Sequence, residues 1–177
     1  MSIDKTIFKQ VLAQFATGVT VTTTHHEGKN YGLTANAFCS VSLDPALVLV
    51  CIAKQLYTHS RIEQSGVFAV TILSLQQRAW GERFAGRIPE MEDRFEGIPY
   101  RTAITGSPIL PDSLAWVDCT VRHIYDGGDH TIFVGEAVAG ESPAGEVPLL
   151  YFDRHWNQLA QEGPEVGSSW PQDKGKG

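Results

Sequence analysis

The feature that most limits the fold is a series of short apolar runs of strand length, separated by turn-forming residues. Residues 18–24 (GVTVTTT) are rich in β-branched side chains, and residues 46–53 (ALVLVCIA) and 67–73 (VFAVTIL) are almost continuously apolar. β-Branched and apolar runs of this length are typical of strands. We therefore expect a sheet protein in which residues 46–53 are buried on both faces and residues 67–73 form a second buried strand.

Most of these runs are expected to pair as hairpins. The turn sequence HHEGKN separates residues 18–24 from residues 30–40, and the turn sequence DGGD separates residues 115–125 from residues 130–140. A last short strand is expected after residue 147. About six or seven strands, mostly linked by hairpins, favour a mainly β fold: a small antiparallel split β-barrel with a few flanking helices. Strands and helices do not alternate, which excludes a doubly wound parallel sheet.

Helices are expected at only a few places. Residues 5–15 carry apolar side chains at helical spacing after Asp4, which is a good N-cap, so we expect an amphipathic helix held by its apolar stripe. Residues 57–66 are expected to form a short helix that begins at Thr58 as N-cap and ends at a glycine. The stripe of the first helix consists of Ile7, Phe8, Val11, Leu12 and Phe15.

Charge and composition exclude several classes of protein. The 177-residue chain has a formal net charge of −6, the opposite sign to the basic surface that a nucleic-acid-binding protein needs. No stretch is long and apolar enough to cross a membrane, and the first residues lack the apolar core of a secretory signal. We expect a cytoplasmic protein with one domain over residues 1–160 and a flexible C-terminal tail, rich in Gly, Pro, Ser and Lys, over residues 161–177.

Several cofactor and catalytic motifs are missing from the sequence. There is no GxGxxG after a strand, no GxxxxGK[ST] and no GxSxG, which excludes a Rossmann site, a P-loop and an α/β-hydrolase. The three cysteines, Cys39, Cys51 and Cys119, form no CxxC, and no His/Cys cluster has the spacing of metal ligands. We therefore expect free thiols and no bound metal.

One polar stretch has the composition of a ligand site. Residues 34–42 are small and hydroxylated and lead directly into the apolar residues 47–53. A flavin needs hydroxyls, main-chain groups and a cation at its polar end, and an apolar surface at its dimethylbenzene end. The polar side chains available for this are Thr34, Asn36, Ser40, Ser42, Lys54 and Thr58. Composition alone leaves open a second interpretation, a polar strand edge beside a core strand.

Five segments resemble one protein family in their order and spacing. They are FATGVTVTTT (15–24), GLTANAFCSVSLDPALVLVCIAK (32–54), TH (58–59), FAVTIL (68–73) and GDHTIFVGEAVA (128–139). Together they resemble the short-chain flavin reductases, which are the reductase components of two-component flavin-dependent monooxygenases and have the FMN-binding split-barrel fold. The similarity extends from Phe8 to Leu159. The family's usual LDPP is LDPA here, with Ala46 in last place, a change in turn stiffness and not in chemistry.

This resemblance implies a set of site residues. Those implied to lie along the isoalloxazine ring are Thr34, Ala35 and Asn36. Those implied to approach the ring edge and the ribityl chain are Ser40, Val41 and Ser42. Those implied to hold the phosphate end are Cys51, Ile52, Ala53, Lys54 and Thr58. The GDH element implies a catalytic, nicotinamide-side role for His130, whereas Asp129 is expected to be a turn residue.

The resemblance also implies an activity. It implies an NAD(P)H:flavin oxidoreductase that transfers a hydride from NADH or NADPH to FMN or FAD, forms a homodimer and supplies reduced flavin to a separate monooxygenase. Two alternatives remain open: an electron carrier or oxidase on the same fold with permanently bound FMN, and a flavin-storage module. GDHTIFVGE favours the reductase, because only a reductase needs an element that faces the nicotinamide. The choice between FMN and FAD, and between NADH and NADPH, is open.

Overall fold

The computed structural model describes residues 2–86, 93–143 and 145–159, and this part of the chain is mainly β. It contains three α-helices: α1 (Lys5–Ala13), α2 (Tyr57–Ser65) and α3 (Arg78–Phe84), the last preceded by a 3₁₀ turn at Leu75–Gln77. The described strands are β1 (Thr17–Gly18), β2 (Thr20–His26), β3 (Lys29–Ala35), β4 (Phe38–Leu43), β5 (Ala46–Ala53), β6 (Val67–Ile72), β7 (Ala115–Gly127), β8 (His130–Glu141), β9 (Leu150–Phe152) and β10 (His155–Asn157).

Seven of these strands form one antiparallel sheet in the order β3-β2-β6-β7-β8-β5-β4. The two outermost strands, β3 and β4, follow each other in the chain and are joined only by residues 36–37. The sheet must therefore curl until its two edges almost meet. Main-chain pairing does not close the gap between them, which is how a split barrel differs from a closed one. The predicted antiparallel, mainly β fold class is confirmed. We call the gap between β3 and β4 the seam.

Packing inside the curled sheet supports this geometry. Leu33 on the edge strand β3 belongs to the same buried cluster as Val50 and Ile52 on β5, at the far end of the strand order. Helix α2 adds the fully buried Ile62 to this cluster. Packing is so close that a Cβ on Gly135 would lie 2.4 Å from the Phe68 ring, so only glycine fits there.

A second core lies on the other face of β2, under α3 and the loop that follows it. Val19, directly before β2, and Val21 on β2 pack there with Phe84 of α3, away from the inner cluster. The small sheet of β1, β9 and β10 borders this second core. One short strand was predicted after residue 147, and the structure has two, β9 and β10, paired as a hairpin.

The prediction that residues 46–53 are buried on both faces is wrong for one face. Val50 and Ile52 are buried in the inner cluster, whereas Leu47, Leu49 and Cys51 alternate with them and are only half-buried. The other face of β5 points outward, where no element of the described chain covers it fully. One face of β5 therefore belongs to the core, and the other is apolar but only half-buried.

The helices also differ from the predictions in their packing. Asp4 caps α1 as predicted, accepting hydrogen bonds from the main-chain N–H groups of Thr6 (2.8 Å) and Ile7 (3.2 Å). The apolar stripe of α1 is exposed, however, because no residue of this helix is buried. Helix α2 ends at Gly66 in the left-handed conformation (φ 69°) as predicted, but its N-cap is Leu56 and not Thr58.

In the ranges that the structure describes, no helix combines the length and the apolar character needed to span a membrane. Within the same ranges, no group of three or more His, Cys, Asp or Glu side chains is arranged to hold a metal ion. All three thiols are free, and burial raises the pKa of the Cys119 thiol to about 12. The tail predicted for residues 161–177 lies outside the described residues.

Candidate functional site

Three separate parts of the chain meet at the seam. The link between β3 and β4 touches β5, because the Cys51 N–H donates to the Ala37 carbonyl (3.1 Å). The end of β5 meets the start of β8, because Ala53 pairs with His130 and the Lys54 N–H donates to the Asp129 carbonyl (3.0 Å). Residues 34–42, 51–54 and 129–130, all predicted to belong to the site, are therefore neighbours in space.

Residues 34–36 lie at the end of β3 and line a cavity of about 200 Å³ beside Trp156. Two of their polar groups are already engaged: the Thr34 hydroxyl donates to the Gly81 carbonyl (2.6 Å), and the Ala35 carbonyl accepts from the Thr20 hydroxyl (2.7 Å). What this segment offers a ligand is therefore mainly the main chain along the free edge of β3 and the side chain of Asn36.

Ser40, Val41 and Ser42 lie on the other edge strand, β4. The pairing of β4 with β5 shifts between Ser40 and Ser42, so Val41 is the extra residue of a β-bulge. Its side chain is 49% exposed, and Ser40 is also exposed. A bulge interrupts the alternation of faces, so the two serines do not point to the same side as they would in a regular strand.

The segment predicted to hold a phosphate has two features suited to an anion. The N-cap of α2 is Leu56, which has no side-chain acceptor for the first N–H groups of the helix, and Thr58 lies in this first turn. Helix N-termini of this kind attract anions. Lys54, the nearest cation in sequence, is ion-paired with Asp126 near the tip of the β7–β8 hairpin. This contact lowers the pKa of the Asp126 carboxyl.

His130 opens β8 directly after the turn that joins it to β7. Its Nδ1 lies 2.7 Å from Oδ1 of Asp129, and its side chain is 44% exposed. The hydrogen bond and charge of His130 lower the pKa of the Asp129 carboxyl. Because a carboxylate only accepts, this contact favours the tautomer with hydrogen on Nδ1, which leaves Nε2 available to a ligand. Asp129 is a turn residue, as predicted, and it also orients the imidazole.

Two features near the seam were not identified from the sequence. His59 is buried, with Nε2 2.7 Å from the Thr131 hydroxyl and its ring edge-on to Phe133. Tyr31 and Tyr57 line a second, larger cavity that also reaches Thr58. Periodicity gave no signal for either, because each joins residues that are far apart in the chain. The segments that carry the resemblance include the pair Thr58–His59, but the resemblance implied no role for His59.

The groups at the seam fit a flavin. Strands β3 and β4 are both edge strands, so each has a row of main-chain N–H and C=O groups that no other strand of the described ranges pairs. The outer face of β5, with Leu49 and Cys51, is apolar and half-buried. Lys54 and the first turn of α2 supply a cation and an anion-attracting helix end. Main-chain donors, an apolar surface and a phosphate-binding end are the three surfaces that a flavin needs.

The comparisons with known proteins agree with this set of groups. A sequence model of the flavin reductase like domain matches residues 12–160. The reductase subunit HsaB of a flavin-dependent monooxygenase from Rhodococcus jostii (strain RHA1) is 37% identical over 172 residues, which are 97% of this chain and 86% of the relative.

Two solved structures have the same fold over nearly their whole length. The flavin reductase PheA2 in its native state superposes with a TM-score of 0.83 at 40% identity, covering 90% of this chain and 100% of that chain. The NADH:FAD oxidoreductase SgcE6 of Streptomyces globisporus C-1027, in complex with NAD and FAD fragments, superposes with a TM-score of 0.82 at 31% identity, covering 92% of this chain and 95% of that chain.

Proposed function

This chain belongs to the flavin reductase family and is an NAD(P)H-dependent flavin reductase, and on that premise we propose that the seam is where FMN or FAD binds. The observation that carries this proposal is the pairing of Ala53 with His130 beside the β3–β4 link. It brings the segments implied to contact the flavin next to the one residue implied to face the nicotinamide. Neither edge strand of the sheet has, by itself, both the segments implied to contact the flavin and this histidine.

At the ring end, residues 34–36 and the bulged strand β4 hold the flavin through main-chain groups. The edges of β3 and β4 have unpaired N–H and C=O groups in fixed positions, which suits a planar ring with donors and acceptors along one side. Ser40, Val41 and Ser42 flank the ring edge and the ribityl chain. Because the scaffold is a sheet and not a mobile loop, the ring is held in one orientation.

At the other end, residues 51–54 and Thr58 hold the phosphate. The N-terminus of α2 supplies N–H groups without a side-chain acceptor, and Thr58 supplies a hydroxyl. Lys54 supplies positive charge, which Asp126 partly offsets while the two are ion-paired. We expect the ammonium of Lys54 to turn from this exposed carboxylate towards the phosphate when the flavin is bound.

The bound flavin supplies the acceptor for a hydride from the nicotinamide of NADH or NADPH. The contribution of the protein is then mainly positional, because acceleration depends on holding the two reacting atoms about 3 to 3.5 Å apart. His130, oriented by Asp129, has its Nε2 free to hydrogen-bond the nicotinamide side. Hydride transfer needs no general acid or base here, which agrees with the absence of catalytic motifs from the sequence.

The proposal also covers the oligomeric state of the protein, its partner enzyme and its location in the cell. The outer face of β5 and the stripe of α1 leave apolar surface that a second copy of the chain would cover, so the protein is a homodimer in this proposal. The HsaB relative is named as the reductase subunit of a flavin-dependent monooxygenase. By analogy, reduced flavin from this protein serves a separate monooxygenase in the cytoplasm.

The test is the loss of NADH or NADPH absorbance when free FMN or FAD is added to purified protein. We expect NADH or NADPH to be oxidised much faster than in the same mixture without protein. The proposal would be contradicted if folded protein did not accelerate this oxidation with any combination of NADH or NADPH and FMN or FAD. The alternative, a carrier or oxidase with permanently bound FMN, predicts instead a protein that is purified with one flavin per chain and does not respond to added flavin.

A further inference from the structure

The ion pair between Lys54 and Asp126 engages the cation of the proposed phosphate site. Lys54 directly follows β5, and Asp126 lies near the end of β7. Strand β8 runs between them, since Ile52 and Asp126 both pair with Thr131. The lysine side chain therefore reaches across the start of β8, and among the described residues Asp126 is its only ion-pair partner. The ammonium that we assign to the flavin phosphate is thus already held by a carboxylate.

This ion pair lies at the same end of the sheet as the first turn of α2. Thr131 is the cross-strand neighbour of Asp126, and paired residues in an antiparallel sheet have Cα atoms about 4.5 to 5.5 Å apart. Thr131 also shares a buried hydrogen bond of 2.7 Å with His59 on α2, which directly follows Thr58. A phosphate held by Thr58 and Lys54 is therefore close enough to Asp126 for their charges to interact.

The charges of this region place two anions against one cation. The contact with Lys54 lowers the pKa of the Asp126 carboxyl, so this group is ionised at neutral pH. Asp129, the other carboxylate of the turn, is engaged by His130. A phosphate monoester carries a charge of about −1.5 to −2 at pH 7. The side chains of Lys54 and Asp126 are 43% and 77% exposed, and so open an ion pair exchanges its partners at little cost. The bound phosphate and the Asp126 carboxylate then repel each other.

We propose that Asp126 sets the flavin affinity: it holds Lys54 before the flavin binds and repels the bound phosphate, which weakens the binding of phosphorylated flavin and favours release of the reduced product. The inference rests on the proposed flavin site, because only a phosphate near Lys54 feels this carboxylate. Asp126 acts against binding, so its replacement raises the affinity, whereas replacement of a contact residue lowers it. An enzyme that supplies reduced flavin to another protein must release it, and the reduced flavin carries the same phosphate.

Titration with FMN and with riboflavin, which has the same ring and no phosphate, tests this role. Dissociation constants are measured by flavin fluorescence for the wild type, Asp126→Asn, Lys54→Gln and the double variant. Asp126→Asn is expected to tighten FMN binding about fivefold or more and to leave riboflavin binding within twofold. Lys54→Gln is expected to weaken FMN binding. In that background Asp126→Asn should have a smaller effect, because it no longer releases an ammonium.

Glu141→Gln is the matched control. Glu141 is also an exposed carboxylate in an ion pair, with Arg101, and it lies at the opposite end of β8 from His130. The net charge changes as much as in Asp126→Asn, but FMN affinity should stay within twofold. Raising the salt concentration from about 0.01 M to about 1 M shortens the screening length from about 30 Å to about 3 Å. The difference in FMN affinity between the wild type and Asp126→Asn should therefore shrink.

Three outcomes overturn the inference. Unchanged FMN affinity in Asp126→Asn would mean that the carboxylate does not compete with the phosphate. Weaker FMN binding in this variant would mean that Asp126 instead holds Lys54 in position for the phosphate. Equal tightening of riboflavin, or of FMN in Glu141→Gln, would mean that the effect does not act through the phosphate at this site. In each of these cases FMN is still bound and reduced, so the proposed function stands. Failure of that function would show as no binding of either flavin and no accelerated oxidation of NADH or NADPH.

Discussion

At the scale of single residues, His130 and Asp129 form the best-defined polar pair near the seam. The 2.7 Å contact between them orients an imidazole that would otherwise rotate freely at a partly exposed turn. Asp129 is fully accessible, and its pKa is lowered by His130, so its carboxylate remains ionised at neutral pH. The charge on Asp129 is lost only when the pH falls into the acid range.

We expect His130→Ala to raise the KM for NADH or NADPH and to lower kcat/KM about 5- to 150-fold, as for the loss of one positioning contact. The dissociation constant of the flavin should stay within twofold, because the residues proposed to hold it are untouched. Steady-state kinetics with fluorescence titration checks both values.

Asp129→Asn is the matched control, because it keeps the imidazole and removes only the charge that orients it, so we expect a smaller effect in the same direction. If His130→Ala instead lowers the melting temperature and the flavin affinity together, without a selective change in nicotinamide kinetics, His130 is a structural turn residue.

At the scale of secondary structure elements, helix α2 is tied to strand β8 across the inner core. His59 on α2 and Thr131 on β8 share a buried hydrogen bond of 2.7 Å, and each lies next to a proposed site residue, Thr58 and His130 respectively. Thr131 also pairs with Ile52 on β5. This buried contact therefore joins the phosphate end of the site to its nicotinamide side, in addition to the pairing of Ala53 with His130 at the surface of the sheet.

A double-mutant cycle measures the strength of the hydrogen bond between His59 and Thr131. Thr131→Val leaves the buried His59 nitrogen without a partner and is expected to cost about 1 to 3 kcal/mol of unfolding free energy. His59→Leu removes the other partner, and in the double variant we expect a coupling of about 1 kcal/mol. Urea unfolding of the four proteins gives these values. Strictly additive effects would show that the two side chains contribute independently and that the contact does not join the elements.

At the scale of the whole molecule, the curled sheet determines where a ligand and a partner can bind. The seam exists because β3 and β4 are consecutive in the chain and lie at opposite ends of the strand order. The outer face of β5 and the stripe of α1 remain apolar and accessible. The stripe comprises Ile7, Phe8, Val11, Leu12 and Phe15, each between 48% and 74% exposed. Apolar surface of this extent is typical of an interaction face.

We therefore expect the protein to be a homodimer in solution. Light scattering coupled to size exclusion should give twice the chain mass of 19.4 kDa at micromolar concentration. Burial of the apolar faces of two copies supplies the driving force, so the dimer should persist in high salt. A mass of one chain at this concentration, with the protein folded, would refute the expectation.

Local sequence determined the elements and the family. The turn at residues 27–28, the Asp4 cap and the Gly66 end of α2 depend on neighbours within a few residues, so they were predictable. The polar stretch at 34–42 and the GDH element were also visible as local patterns, and together they indicated a flavin reductase. The residues proposed to form the site thus stand in the sequence as three separate segments, 34–42, 51–58 and 128–130.

Only the tertiary structure decided which of these segments meet. The pairing of Ala53 with His130 and the tie between His59 and Thr131 join residues more than seventy positions apart. The same long-range packing leaves the α1 stripe and one face of β5 uncovered, although their apolar patterns predicted burial. Periodicity shows that a side chain needs an apolar neighbour but does not identify that neighbour, because contacts in a curled sheet depend on strand order and not on sequence distance.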